Sequence, residues 1–220
     1  MRSHAASRFV SLAVLLVAVG AASPSAAQKP ADKVRAAFER YRVAILARDG
    51  ASALDAVDAR TVEYYRRSVA LALDADSATV AELPLMDELM VLTLRHRVPV
   101  HTLRGFDGAA AFTYGVEQGW IGEASVRQQR LGRVTIAGDS ARAELTIDGV
   151  PVPEVAFAFS RERGDWRVDL TSVTGIAGDA LRQQAEQLGE TEQSYLAMLL
   201  GLVSGRPVKP AAWQPVGRDS

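Results

Sequence analysis

The hydrophobic pattern of this chain changes its period near Arg133, and that change limits the folds it can adopt. Before Arg133, apolar side chains recur at the three- and four-residue spacing of helices, and after it they alternate with polar ones as in strands. Such alternation is typical of an antiparallel sheet with one wet face. The pattern therefore predicts an α+β fold in which a helical N-terminal half packs on a curved antiparallel sheet, followed by a long C-terminal helix.

The predicted boundaries follow residues that favour helix ends and turns. Asp32, Thr61 and Asp107 are placed to cap helices, and Pro84 suits a first helical turn. In the second half, three turn dipeptides separate the alternating runs: Gly138-Asp139, Asp148-Gly149 and Gly164-Asp165. We expect three or four sequential antiparallel strands.

The C-terminal part of the chain reads as one more helix and a tail. The helix is predicted over 178–203, and its leucine-bearing face is a candidate surface for a homodimer or another partner. The tail, 205–220, contains three prolines and little periodicity, so we expect it to be disordered. Trp213 is the exception, and docking on its own domain or on another protein both remain open.

The first residues have the features of a cleavable export signal. Arg2 and Arg8 precede an apolar run over 9–22, and small residues end at Ala27. The alternative is a membrane anchor, but the run is shorter than the roughly 20 residues that cross a bilayer. We therefore predict a signal peptide over 1–27, a single domain over 28–204, and a periplasmic or extracellular protein with no membrane span after cleavage.

Composition excludes several classes of function. Lys and Arg number 25 against 26 Asp and Glu, a net charge of −1, whereas nucleic-acid binding needs a cationic face. No nucleic-acid partner is expected. The chain has no cysteine, which excludes disulfides, a thiol nucleophile and thiolate metal sites. Nucleophile, zinc, phosphate-loop and dinucleotide motifs are absent from the sequence as well, so no cofactor and no metal are predicted.

Three segments together resemble the nuclear-transport-factor-2-like, or SnoaL-like, superfamily. They are VRAAFERYRVAILARDG, VTIAGDSARAELTI and VAFAFSRERGDWRVDL, and the strongest piece is the turn and strand over 164–169. The resemblance implies a cone-shaped sheet curled around helices, which leaves room for an apolar pocket. Members of the superfamily use such pockets for isomerisation, dehydration or hydrolysis, or to bind ligands without catalysis.

Two regions depart from that family pattern. The segment over 61–118 reads as three helices, where the family has one or two and an early strand, and the helix after Leu170 lies beyond the usual end. An unrelated helical domain with a three-stranded meander is the alternative fold.

Four residues are candidates for a ligand site. Tyr114 and Trp120 are predicted to line a cavity, with simple core packing as the alternative. His101 follows Pro99 on a predicted loop, where it reaches a pocket mouth or stays in solvent. Asp169 lies on the opposite face of its strand from Trp166, either as a general base or as a surface charge that sets the strand register.

Other charged residues receive plainer interpretations. Asp169 as a surface charge would pair across the sheet with Arg142 or Arg161. His96 ends a predicted helix as a cation, beside the negative end of the helix dipole. The five-residue spacing of His96 and His101 across Pro99 does not suit a two-histidine metal site on one helix.

Two functions from different classes follow from these observations. The first is non-catalytic binding of a small apolar ligand or an envelope protein. The second is a cofactor-independent isomerase, dehydratase or lyase, with His101 or Asp169 as general base and Tyr114 or an arginine stabilising the developing anion. The sequence favours the first.

Overall fold

The computed structural model describes residues 28–120 and 123–217. The predicted signal peptide lies outside these residues and stays a prediction. Before the sheet, the chain forms α1 (Gln28–Ala47), α2 (Gly50–Ala56), α3 (Ala59–Asp74), α4 (Ser77–Ala81), α5 (Leu85–Arg97), α6 (Val100–Leu103), α7 (Gly108–Glu117) and α8 (Glu123–Gln128).

The sheet is an antiparallel meander whose strands lie side by side in chain order. It consists of β1 (Gln129–Ala137), β2 (Ser140–Ile147), β3 (Val150–Glu162) and β4 (Asp165–Asp169). Gly138, Gly149 and Gly164 all have positive φ at the predicted turns. The register shifts once in the β1–β2 pair and once in the β2–β3 pair, and such irregularities bend a sheet. The α+β class and the sequential strands are confirmed.

Helix α1 packs on the inner face of the sheet, as its apolar period predicts. The rings of Phe38 in α1 and Phe157 in β3 have centroids 5.2 Å apart. Trp166 and Val168 of β4 are buried on the same face, and Arg40 of α1 donates to the carbonyl of Trp166. The core therefore lies between the sheet and the N-terminal helices.

Capping explains where the early helices begin, with two corrections to the predictions. Asp107 caps α7 as predicted, by accepting from the Ala110 amide at 2.7 Å. The cap of α3 is Asp58 and not Thr61, because the Asp58 carboxylate accepts from the Thr61 amide. Asp32 lies inside α1, which begins at Gln28.

The C-terminal helical region is present, with a break that the sequence pattern does not reveal. It consists of α9 (Thr174–Leu188) and α10 (Glu192–Ser204), and a 3₁₀ turn (Leu170–Val173) leads into α9. Gly189 ends α9 in the left-handed conformation, with φ 71°. Thr191 then caps α10 through the Ser194 amide, so two helices take the place of the single one predicted.

The described part of the tail, up to residue 217, packs on the domain, whereas the sequence predicts disorder for it. Arg95 is buried, and its guanidinium donates to the carbonyls of Ala72 at the end of α3 and of Ala212 in the tail. The Gly217 amide donates to the Leu73 carbonyl at 2.8 Å. Trp213 packs against the core of its own chain. The hydrogen bonds of Arg95 connect the tail to α3, and a sequence pattern does not reveal such contacts.

Candidate ligand-binding pocket

A pocket of about 480 Å³ lies between the inner face of the sheet and the helices. Its walls come from α1, α3 and α5, from β1 and β3, and from α9 and α10. We call it the tyrosine pocket, because its aromatic wall consists of Tyr41, Tyr64, Tyr65, Trp120 and Phe157. Its volume falls within the range of about 300 to 1,000 Å³ that is typical of small-molecule sites.

Neighbouring rings hold the tyrosines in place. Tyr65 meets Tyr64 edge to face at 5.7 Å and Phe112 of α7 in the same way at 5.2 Å. Tyr41 lies 6.1 Å from Phe38, one helical turn earlier on α1. These ring contacts with core residues fix the orientation of Tyr65 and Tyr41.

Two of the tyrosines are buried residues whose hydroxyls make no hydrogen bond within the described structure. Tyr41 and Tyr65 are 4% and 7% exposed, and neither hydroxyl has a hydrogen-bond partner among the described residues. Tyr64, in contrast, donates to the Met86 carbonyl at 3.4 Å. Burial raises the pKa of Tyr65 to about 12, and burial, followed by the nearby Tyr65, also raises the pKa of Tyr41. Both groups are therefore neutral and able to donate or accept a hydrogen bond.

The tyrosine pocket adjoins a smaller and more polar pocket of about 330 Å³, which we call the vestibule. The vestibule is lined by Arg97, Tyr114, Gln118, Trp120, Val203, Ser204 and Arg206. Arg97, Trp120 and Val203 line both pockets, so the two are neighbours along a shared wall. The Arg97 guanidinium lies over the Trp120 ring, 5.3 Å from its centroid.

The structure brings together two of the four predicted site residues. Tyr114 and Trp120 are in edge-to-face contact at 5.6 Å, and both line the vestibule. His101 lies exposed on the short helix α6 rather than on a loop, and it lines neither pocket. Asp169 lines neither pocket as well. A ligand-binding role stays a prediction for Tyr114 and Trp120.

Asp169 is buried, which corrects the expectation of a surface charge. It is 4% exposed, and one oxygen accepts from the Thr171 amide at 2.9 Å and from the Thr171 hydroxyl at 2.6 Å. Its other oxygen lies 3.4 Å from Nε of Arg60, so neither Arg142 nor Arg161 is its partner. Burial arises because β4 ends at Asp169 and the chain turns there into the 3₁₀ helix beside α3.

Asp58 lies in the same polar cluster and has a full set of partners. It is 1% exposed and accepts from the amide and the hydroxyl of Thr61, and from the Ser160 hydroxyl at 3.2 Å. Arg60 donates to it at 2.8 Å. We call Asp58, Arg60 and Asp169 the Asp58 cluster. Because its carboxylates are used in capping and in ion pairs, the cluster serves the fold.

His96 differs from its predicted role as a helix-end cation. Its Nε2 lies 2.9 Å from the hydroxyl of Ser204, the last residue of α10. Burial, followed by the charges of Arg206 and Arg97, lowers the pKa of His96. The neutral ring is therefore favoured, and the contact joins α5 to the end of α10.

The residues that give the pocket its polar character are not recognisable as site residues from the sequence. The helical spacing predicts Tyr41 on the core face of α1, and Arg97 is predicted only as a cation beside the negative, C-terminal end of the α5 dipole. The available signal was the residue type, because a tyrosine on a fully apolar helix face brings a hydroxyl that needs a partner. Whether that partner exists depends on residues far apart in the chain.

The chain has no significant match among protein-family models, curated proteins or solved structures. The family resemblance therefore stays a prediction, and the function has to be argued from the pocket. Within the two ranges that the structure covers, no helix combines the length and the hydropathy needed to cross a membrane. In the same ranges, no histidine and acidic side chains are grouped closely enough to hold a metal ion.

Proposed function

We propose that this chain is an exported binding protein that holds a small, mainly apolar molecule in the tyrosine pocket without catalysis. The observation that carries the proposal is the pocket of about 480 Å³, whose wall includes Tyr41 and Tyr65, two tyrosines with no hydrogen-bond partner for their hydroxyls among the described residues. The export part rests on the predicted signal sequence. An envelope protein as partner stays a prediction.

The hydroxyls of Tyr41 and Tyr65 belong to pocket-lining residues and make no hydrogen bond with other described residues. Each can donate one hydrogen bond and accept others. A ligand that offers one polar atom to this pair can use that capacity, while its apolar body gains from the surrounding side chains. The pocket thus favours a molecule that is apolar over most of its surface and carries at least one polar atom.

Binding without turnover is supported by the composition of the wall. Among the described residues that line the tyrosine pocket, none is aspartate, glutamate or histidine. The two residues predicted as general bases lie elsewhere, because His101 is exposed on α6 and Asp169 belongs to the Asp58 cluster. Proton abstraction needs a base within hydrogen-bond reach of the substrate.

The proposal is tested by titrating the purified protein with N-phenylnaphthylamine, an uncharged fluorescent probe with one amine. We expect saturable binding with one molecule per chain. Ala177 of α9 lines the pocket, so Ala177→Phe fills part of it and should weaken binding by at least about ten-fold, the equivalent of roughly 1.4 kcal/mol.

The matched control is Ala180→Phe, one turn later on the same helix at an exposed position outside the pocket. It should bind the probe as the wild type does. Absence of saturable binding to the wild type, or equal binding by Ala177→Phe and the wild type, would overturn the proposal.

A further inference from the structure

The vestibule carries positive charge that nothing in the described structure neutralises. Arg97 and Arg206 both line it, and its described lining contains no aspartate or glutamate. Burial lowers the pKa of Arg97, and the neighbouring charge of Arg206 acts in the same direction. Two cations thus face one small space, and Arg97 is half-buried.

Both arginines are held by contacts that leave their charge uncompensated. Arg97 stacks over Trp120, and among the described residues it has no carboxylate within ion-pairing distance. Arg206 donates to the carbonyl of His96, a neutral group. A guanidinium without an anionic partner in such a position is suited to bind a carboxylate, often with two parallel hydrogen bonds.

Further polar groups in the vestibule complement an anion. Tyr114 provides a hydroxyl and Gln118 an amide, whereas the Ser204 hydroxyl is already bonded to His96 and to the Arg206 carbonyl. Tyr114 also packs against Trp120, so the wall that bears these donors is anchored in the core. The vestibule therefore offers charge and hydrogen bonds, while the tyrosine pocket offers apolar surface.

The shared wall of Arg97, Trp120 and Val203 puts these two environments side by side. We propose that the ligand is an amphipathic anion, with its apolar body in the tyrosine pocket and a carboxylate head between Arg97 and Arg206. This inference rests on the proposed function and narrows it to one chemical class of ligand.

The test compares three molecules with the same alkyl chain and different heads: decanoate, decanol and decylammonium. Each is used to displace bound N-phenylnaphthylamine from the wild-type protein. We expect decanoate to bind at least about ten-fold more tightly than decanol, because a charge-assisted pair with arginine is stronger than a neutral hydrogen bond. Decylammonium should bind most weakly, since like charges repel.

Variants show whether the arginines cause the preference. Arg97→Gln should lower the ratio of decanoate to decanol affinity by about ten-fold. Arg206→Gln removes an exposed charge and should lower the ratio by a smaller factor, about three-fold. Arg142→Gln is the control, since Arg142 is an exposed arginine of β2 outside both pockets and should leave the ratio unchanged.

The outcomes separate this inference from the proposed function. If the probe binds and decanol displaces it as well as decanoate does, the anionic head is refuted while the pocket's function stands. If the wild type does not bind the probe, both fail. If Arg97→Gln does not fold, the ratio of decanoate to decanol affinity in Arg206→Gln decides the question. A ratio equal to that of the wild type contradicts the inference.

Discussion

The tyrosine pocket and the Asp58 cluster both contain buried residues with polar side chains, but they differ in whether the polar atoms have hydrogen-bond partners. In the Asp58 cluster, each carboxylate accepts hydrogen bonds from the chain and contacts Arg60. In the tyrosine pocket, the hydroxyls of Tyr41 and Tyr65 have no partner in the described structure and border an open volume.

The difference separates structural polar groups from groups suited to binding. A satisfied buried group stabilises the fold and has little capacity left for a ligand. A hydroxyl without a protein partner beside an open volume keeps its capacity to bond a ligand. By this criterion Asp169, the sequence's candidate base, belongs to the fold, and Tyr41, assigned from sequence to the core, belongs to the candidate site.

The largest effect is expected in the Asp58 cluster. Asp58→Ala removes the buried cap of α3 and one acceptor each of the Ser160 hydroxyl and Arg60, which keep Glu162 and Asp169 as their others. It should therefore lower the free energy of unfolding by about 2 kcal/mol. Urea denaturation measures the change. Asp107→Ala removes an exposed cap and should cost only about 1 kcal/mol, and equal losses in the two variants would contradict the assignment of Asp58 as a buried structural group.

Glu88 is a third kind of polar group: it is buried, its Oε1 lacks a partner, and it borders neither pocket. Burial raises the pKa of Glu88 above its ordinary value of 4.5, and the neighbouring Trp213 partly offsets the rise. A raised pKa in the folded state means that stability is lost as the pH rises through that pKa. Glu88→Gln should therefore be more stable than the wild type by about 1 kcal/mol at pH 7, and by less at pH 4.

Urea denaturation at several pH values measures the Glu88 effect. The control is Glu82→Gln at an exposed glutamate just before α5, which should change the free energy of unfolding by less than about 0.5 kcal/mol. A Glu88→Gln difference that shrinks as the pH rises would contradict the account.

A smaller effect is expected in the tyrosine pocket. Since the Tyr65 hydroxyl has no partner, Tyr65→Phe should leave the free energy of unfolding unchanged or raise it by up to about 1 kcal/mol. The same change at Tyr64, which donates to the Met86 carbonyl, should lower it by about 1 kcal/mol. Thermal and urea denaturation of both variants without ligand give the values. A clear loss of stability in Tyr65→Phe would contradict the assignment of the Tyr65 hydroxyl as unpartnered.

The smallest effect on stability concerns the outer face of α10. Leu202 is 80% exposed, so Leu202→Glu should change the free energy of unfolding by less than about 0.5 kcal/mol. The homodimer predicted through the C-terminal helix stays a prediction, and sedimentation velocity tests it. We expect the wild type to dimerise and Leu202→Glu to be monomeric, and identical sedimentation of the two would refute that interface.

The fold was predictable where its signals are local. The period change near Arg133 and the turn glycines predict the sheet, and Asp107 predicts the start of α7. The burial of Asp169 was not predictable, because it arises from packing between segments far apart, where the Asp58 amide donates to the Val168 carbonyl at 3.0 Å. The ordered tail likewise depends on Arg95, whose partners lie in α3 and near the C-terminus.

The candidate site was predictable only in part, for the same reason. Trp120 and Tyr114 were selected from the sequence as aromatic residues that line a cavity, and the structure places both in the vestibule wall. Tyr65 and Arg97 were not selected, since being unpartnered is a property of the assembled fold. A sequence shows which groups need partners, and only the packed structure shows which groups find them.

The most direct test of the account is a crystal structure of the protein with N-phenylnaphthylamine bound. The account predicts that the aromatic rings of the probe lie in the tyrosine pocket, with the amine within hydrogen-bond distance of the Tyr41 or Tyr65 hydroxyl. A probe bound elsewhere, with the pocket filled by the protein's own side chains, would contradict it.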